Sequence, residues 1–158
     1  MGAEPIIRAA GEGDRRWFFG GGVHTWKVHS EQSDGRFFVF EDEMTQGKMT
    51  PWHCHPDSDE TIYVLEGEVD LNLDGTEARV GAGGMWTAPR GVNHAFTVVS
   101  PKARFLAFQT PGSAEAFYWG ASEAAGEGDG PVDFDRIRQV AADTGATNVL
   151  GPPPFART

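Results

Sequence analysis

His53 and His55 stand two residues apart, and Glu60 follows five residues later. Side chains two apart on a β-strand face the same side. A strand over Met49 to His55 therefore turns both imidazoles inward, with Cα atoms roughly 7 Å apart. Imidazoles at that separation converge on one cation at about 2.0–2.1 Å. Pro56-Asp57-Ser58-Asp59 is a turn by composition. The chain then returns through Glu60 to Glu66, which is apolar and β-rich at Ile62, Tyr63, Val64 and Leu65. Glu60 starts that return strand and can face the same cation.

A second stretch is built the same way. Met85 to Ala88 reads as a short strand, Pro89-Arg90-Gly91 as a turn, and His94 opens a strand over Ala95 to Val99. His94 is expected to supply a third imidazole from the opposite side of a barrel. A lone histidine on a strand is usually a satisfied structural residue. Four candidate ligands in two paired turn-strand units indicate a mononuclear metal site. Three neutral nitrogens and one carboxylate suit one divalent transition metal, Fe, Mn, Ni, Co or Zn, without choosing among them. A six-coordinate ion would keep two positions open for a substrate and a second small molecule. A tetrahedral zinc would keep none and would favour a structural role.

The two stretches resemble the paired signature motifs of the cupin superfamily. The first motif, G-x5-H-x-H-x4-E-x6-G, is met by Gly47, His53, His55, Glu60 and Gly67. The second, G-x5-P-x-G-x2-H-x3-N, is met by Gly83, Pro89, Gly91 and His94, with Val98 in place of the final asparagine. That asparagine is not a metal ligand in the family. The resemblance implies an all-β fold, a cupin jelly-roll β-barrel with the metal inside. It also implies that His53, His55, Glu60 and His94 are the ligands. The segments Tyr63 to Glu68 and Pro89 to Phe96, together with the Gly151-Pro152-Pro153-Pro154 tail, are similar to single-domain cupins grouped with bacterial quercetin 2,3-dioxygenases. The superfamily spans many reactions, so the fold does not set the activity.

On this reading the protein is a metal-dependent dioxygenase acting on a small, hydroxylated, aromatic (flavonol-like) substrate. Glu60 is the catalytic residue, holding the ion and accepting the substrate hydroxyl proton. Two alternatives are a non-oxidative cyclase, isomerase or lyase, and a non-catalytic module that binds a small ligand. Strand alternation puts Ile62 and Val64 on the Glu60 face, Phe96 on the His94 face, and Phe38 and Phe40 together on one face. These five are the expected substrate pocket. An apolar cavity suits an aromatic ligand better than a sugar phosphate, which would want basic residues. Cys54, between two inward histidines, points away from the metal as a structural thiol. His24 shares a face with Trp26 and Val28 and can reach a pocket, although a surface or interface role is the simpler reading.

The chain of 158 residues suffices for one domain with a real core. Its net charge of −10 argues against nucleic acid or an anionic membrane as partner. The expected partners are a small-molecule substrate and, for a dioxygenase, O2. One cysteine excludes an intrachain disulfide and fits a reducing compartment. The first thirteen residues hold no apolar run of the signal-peptide kind, so a cytoplasmic location is expected. Further strands are expected over Arg16 to Phe19, Val23 to Ser30, Arg36 to Asp42, Val69 to Leu73, Ala78 to Val80 and Arg104 to Gln109. Ser33-Asp34-Gly35 and Asp74-Gly75 are hairpin signals. Ile6 to Ala9 reads as an edge strand or arm, and pairing through such arms makes a homodimer the expected assembly. Residues 1–122 are expected to form the barrel with its arm. Residues 123–158 follow as a linker (Gly126 to Pro131), a helix to about Thr144 capped by Asp133 or Asp135, and an extended tail, all packed on the barrel.

Overall fold

The computed structural model describes residues 3–126 and 130–155. Its strands, in chain order, are β1 (Asp14–Phe18), β2 (Val23–Val28), β3 (Phe38–Thr45), β4 (Trp52–Cys54), β5 (Asp59–Glu66), β6 (Glu68–Leu73), β7 (Thr76–Gly81), β8 (Met85–Ala88), β9 (His94–Val98), β10 (Lys102–Thr110), β11 (Ser122–Ala124) and β12 (Asn148–Gly151). Two helices, α1 (Glu115–Gly120) and α2 (Phe134–Thr144), lie near the end. The strands form two sheets, a seven-stranded one ordered β11-β1-β2-β3-β10-β5-β8 and a five-stranded one ordered β12-β4-β9-β6-β7. The class is the expected jelly roll. The hydrogen-bond ladder does not close into one barrel, so β8, β11, β7 and β12 remain sheet edges.

Alternation builds the core. Along β3, Phe38, Phe40, Asp42 and Met44 are buried while their neighbours are more exposed. Along β10 the buried residues are Ala103, Phe105, Ala107 and Gln109. Period two is the signature of a sheet with one face covered. Two polar residues, Asp42 and Gln109, thus occupy inward positions that apolar neighbours would lead one to assign to hydrocarbon. At the β6–β7 hairpin, Asp74 and Gly75 have φ of 51° and 86°. Left-handed backbone at both central residues is the type I′ turn that matches strand twist.

Several elements differ from expectation. Residues Ile6 to Ala9 form no strand, and the Ile7 side chain is 93% exposed. The chain from Met49 to Pro51 makes only an isolated bridge, Met49 to Thr97, because Pro51 has no N–H for a ladder. Ser30–Ser33 is a 3-10 helix, not a strand end, and Asp34 closes it in the left-handed region at φ 54°. That detour replaces a tight hairpin between β2 and β3. α1, β11 and β12 have no counterpart in the expected strands.

Helix α2 starts where the Asp133 carboxylate accepts the Arg136 N–H and stops at Gly145, φ 65°. It buries Ile137 and Ala141. The tail beyond it re-enters the fold as β12, paired antiparallel with β4. Of the expected linker, residues 127–129 lie outside the described residues. Among the described residues, no helix is long and apolar enough to cross a membrane.

Candidate metal centre

The site forms at one end of the five-stranded sheet. His53 on β4 and His94 on β9 are direct cross-strand partners, with ring centroids 4.3 Å apart. His94 therefore comes from the neighbouring strand of the same sheet and not from the opposite side of a barrel. His55 sits one residue past the end of β4, its ring 5.1 Å from His53 and 5.4 Å from His94. One ligand nitrogen from each of the three lies within 4.8 Å of the others, and all three residues are buried.

The outer nitrogens fix the rings. His53 Nδ1 is 2.8 Å from the Pro51 carbonyl and His94 Nδ1 is 2.9 Å from the Val92 carbonyl. A carbonyl only accepts, so both Nδ1 atoms carry the proton. His55 Nδ1 is 3.1 Å from Thr147 Oγ1. The two carbonyl bonds fix the tautomers of His53 and His94 and present their Nε2 atoms to a cation, while the Thr147 hydroxyl, which can donate or accept, orients the His55 ring.

Glu60, second residue of β5, closes the site from the seven-stranded sheet. Its Oε2 lies 2.9 Å from His94 Nε2, and its Oε1 lies 3.6 Å from His55 Nε2. Oε1 also accepts from the Tyr118 hydroxyl at 2.9 Å and from Gln109 Nε2 at 2.9 Å. Gln109 is the cross-strand partner of Glu60, and its own Oε1 accepts from Ser58 Oγ at 3.2 Å. Gln109 Nε2 also donates to the Tyr118 oxygen at 2.6 Å. Ser58, Gln109 and Tyr118 thus hold one carboxylate oxygen in a fixed orientation.

The electrostatics fit a cation. Burial pushes His53 well below the usual histidine value, and the neighbouring His94 and His55 push it further. Burial would raise Glu60, but hydrogen bonds from His55 and His94 outweigh it and hold the carboxyl well below the usual range. Burial would lower His94, but the Glu60 bond and charge raise it. With Nδ1 donating to Val92, the His94 Nε2 contact to Glu60 needs a second ring proton, so this pair is an imidazolium on a carboxylate. A divalent ion at Nε2 would take that proton's place. The donor set fits a metal held by His53, His55 and His94, with Glu60 against it. Tyr118 stays a neutral phenol, because burial and then the Glu60 charge raise it well above its ordinary value.

The cluster opens into a narrow apolar cavity. Of the five expected pocket residues, Phe40, Ile62 and Phe96 line it. Phe38 and Val64 do not; both are fully buried in the core behind it. Cys54 is buried and free. His24, for which a surface role is the simpler reading, is instead 1% exposed and lines the cavity. Lys48, Asp42, Tyr118 and Thr147 also line it. Asp42 was detectable, since it continues the inward series Phe38 and Phe40. Tyr118 and Thr147 carried no local signal, because they arrive by long-range packing of α1 and the tail.

A cupin-domain family model matches residues 40–108. Quercetin 2,3-dioxygenase from Bacillus subtilis (strain 168) is 30% identical over 117 residues, covering 74% of this chain. The chain spans about a third of that relative, 34% of its length. Among solved structures, KdgF from Halomonas sp. superposes with a TM-score of 0.60 at 19% identity, covering 69% of this chain and 94% of that one. The polyketide cyclase RemF from Streptomyces resistomycificus gives a TM-score of 0.50 at 29% identity, covering 66% and 73%. With both motifs assembled on a two-sheet jelly roll, these likenesses place the chain in the cupin superfamily.

Proposed function

We propose that this protein is a metal-dependent dioxygenase acting on a small, hydroxylated aromatic substrate of flavonol type. The observation that carries the reading is Glu60. Its carboxylate lies against three convergent imidazoles, on the wall of an apolar, aromatic-lined cavity. The similarity to a quercetin 2,3-dioxygenase supports the substrate class. A bound divalent metal would supply Lewis-acid stabilisation of the deprotonated substrate hydroxyl.

The chain's own residues do the rest. Phe40, Phe96 and Phe105 present aromatic faces to a planar ligand and keep water away from its body. Glu60 takes the substrate hydroxyl proton on Oε2, the oxygen not engaged by Tyr118 and Gln109. Those two donors keep Oε1 in place while Oε2 changes partner. Thr147, Pro51 and Val92 keep the three rings in register through Nδ1.

The likeness to a polyketide cyclase favours a second reading, in which the same carboxylate moves a proton without O2. Protein loaded separately with Fe, Mn, Ni, Co or Zn should be screened for O2 uptake with flavonols and catechols. O2 consumption matched to substrate loss is the expected result. Product formed equally well without O2 would overturn the dioxygenase reading in favour of the cyclase. We further place the protein in the cytoplasm as a homodimer. Its single cysteine and the unpaired arm around Ile7 support this.

A further inference from the structure

Beyond the metal cluster the cavity holds a second polar group. Lys48 Nζ donates to Asp42 Oδ2 at 2.8 Å, with side chains 6% and 7% exposed. His24 Nε2 lies 3.4 Å from the same oxygen. The His24 ring is packed between aromatic faces, 4.5 Å from Phe18 and 4.4 Å from Phe40 by ring centroids. All three polar residues line the cavity. Among the described residues, none of them makes a hydrogen bond or ion pair with His53, His55, Glu60 or His94.

The group's hydrogen-bonding capacity is not used up. Among the described residues, His24 Nδ1 and Asp42 Oδ1 are buried with no partner. An ammonium has three N–H donors, and that of Lys48 gives one to Asp42. Buried polar atoms in native proteins are nearly always paired, so those that are not need a reason. The residues that carry them line the cavity, so a bound ligand can supply one. Lys48 Nζ is also 5.4 Å from the centre of Phe18 and 5.7 Å from that of Phe96, the rings an aromatic ligand would lie against.

The complement of this group is specific. Lys48 and Asp42 cancel in charge. Burial, the largest influence on His24, lowers its pKa and keeps the imidazole neutral. Asp42 Oδ1, a carboxylate oxygen, is an acceptor. The group offers N–H donors from Lys48 beside an acceptor on Asp42. A hydroxyl both accepts and donates. A carboxylate only accepts and would face Asp42, while a methyl would leave every atom unpaired.

We propose that Lys48, Asp42 and His24 form a second subsite that binds a hydroxyl group of an aromatic ligand, apart from the hydroxyl handled at the histidine cluster. The inference rests on the aromatic, hydroxylated substrate class of the proposed function. It assigns the cavity two hydroxyl-recognising ends, so a ligand with one hydroxyl at each end is preferred over one with a single hydroxyl.

The test uses the shape-matched probes 2-naphthol and 2-methylnaphthalene. Their affinities are measured by ligand-observed NMR titration on the full chain as isolated, without O2, and again after chelation. We expect 2-naphthol to bind at least 10-fold more tightly in both states. Lys48→Met should cut that ratio below 3-fold while leaving 2-methylnaphthalene within 3-fold of wild type. Because Lys48→Met strands the Asp42 charge, the double variant Lys48→Met, Asp42→Asn repeats the measurement with no buried charge. A ratio below 3-fold in wild type, no binding of 2-naphthol, or a ratio that survives in either folded variant would overturn the subsite. No turnover is involved. A protein with the hydroxyl preference but no O2 uptake loses the dioxygenase reading alone, and one with O2 uptake but no preference loses the subsite alone.

Discussion

The Tyr118 hydroxyl donates to Glu60 Oε1 at 2.9 Å, from a helix that neither motif reaches. The bond favours the ionised carboxylate, so Tyr118 positions the base and adds to the hydrogen bonds that keep it ionised. Tyr118→Phe keeps the ring and its packing against Phe40, whose centroid is 5.1 Å away. It removes a hydrogen bond to a charged group, a loss of about 1.5–3 kcal/mol. The expected outcome is retained metal, kcat lower by about 10- to 100-fold, and an acidic limb of the kcat profile moved to higher pH. A variant with lost metal and an unmoved limb would make Tyr118 structural only.

Glu60 itself should matter more to turnover than to metal retention. Three imidazoles form the compact group that can hold a cation, and the carboxylate lies against it. Glu60→Gln keeps size and a weak oxygen donor but removes the base. The variant should keep part or all of its metal yet lose roughly 10²–10⁴-fold in kcat, the usual worth of a positioned base. Substrate binding should change less. Wild-type rates in a fully metallated variant would leave Glu60 without a proton-transfer role.

The histidines should act as a set. Ala at His53, His55 or His94 removes one of three convergent nitrogens and should each strip most bound metal. Elemental analysis after gel filtration reads this directly. A His94→Ala protein holding a full equivalent of tightly bound ion would rule out the three-histidine site.

The ligand candidates were legible in sequence because spacing and strand period are local. His53 and His55 are two residues apart, and turn chemistry returns the chain at Glu60. What surrounds them was less legible. Asp42 and Gln109 could be placed by extending the alternation of Phe40 and Phe105, since period two fixes a face but not a partner. Thr147 and Tyr118 could not. Thr147 reaches His55 only because β12 pairs with β4, a contact across 92 residues of chain. The single barrel expected from the motifs became two sheets with free edges because the ladder stops at β8 and β7.

Acid should weaken the fold through the His24–Asp42–Lys48 group. Burial lowers His24 from its ordinary 6.5. An unfolded chain therefore takes up this proton before the folded one does, and stability falls as pH drops below about 6.5. Asp42 acts later. Burial opposes its ionisation, but Lys48 and then His24 outweigh it and lower it from 3.8, so its contribution fades as pH falls below that value. His24→Phe should flatten the thermal-stability profile between pH 7 and 5. The wild type should lose up to about 1.4 kcal/mol more per pH unit, one proton's worth. Parallel profiles for the two proteins would show that His24 does not titrate with unfolding.

The assembly is expected to be a homodimer, and the surface gives the reason. Ile7 is 93% exposed on a segment without strand partners, and Tyr63, Met85 and Phe108 are also exposed. Tyr63 and Met85 are cross-strand partners on β5 and β8, at the edge of the seven-stranded sheet. Tyr63 and Met85, exposed and apolar at an open edge, invite pairing with a second copy. Light scattering at micromolar concentration should give twice the chain mass. Deleting residues 1–10 should weaken the dimer if the arm contributes, while Tyr63→Lys with Met85→Lys should weaken it if the sheet edge does. A monomer mass for the intact chain would count against both routes.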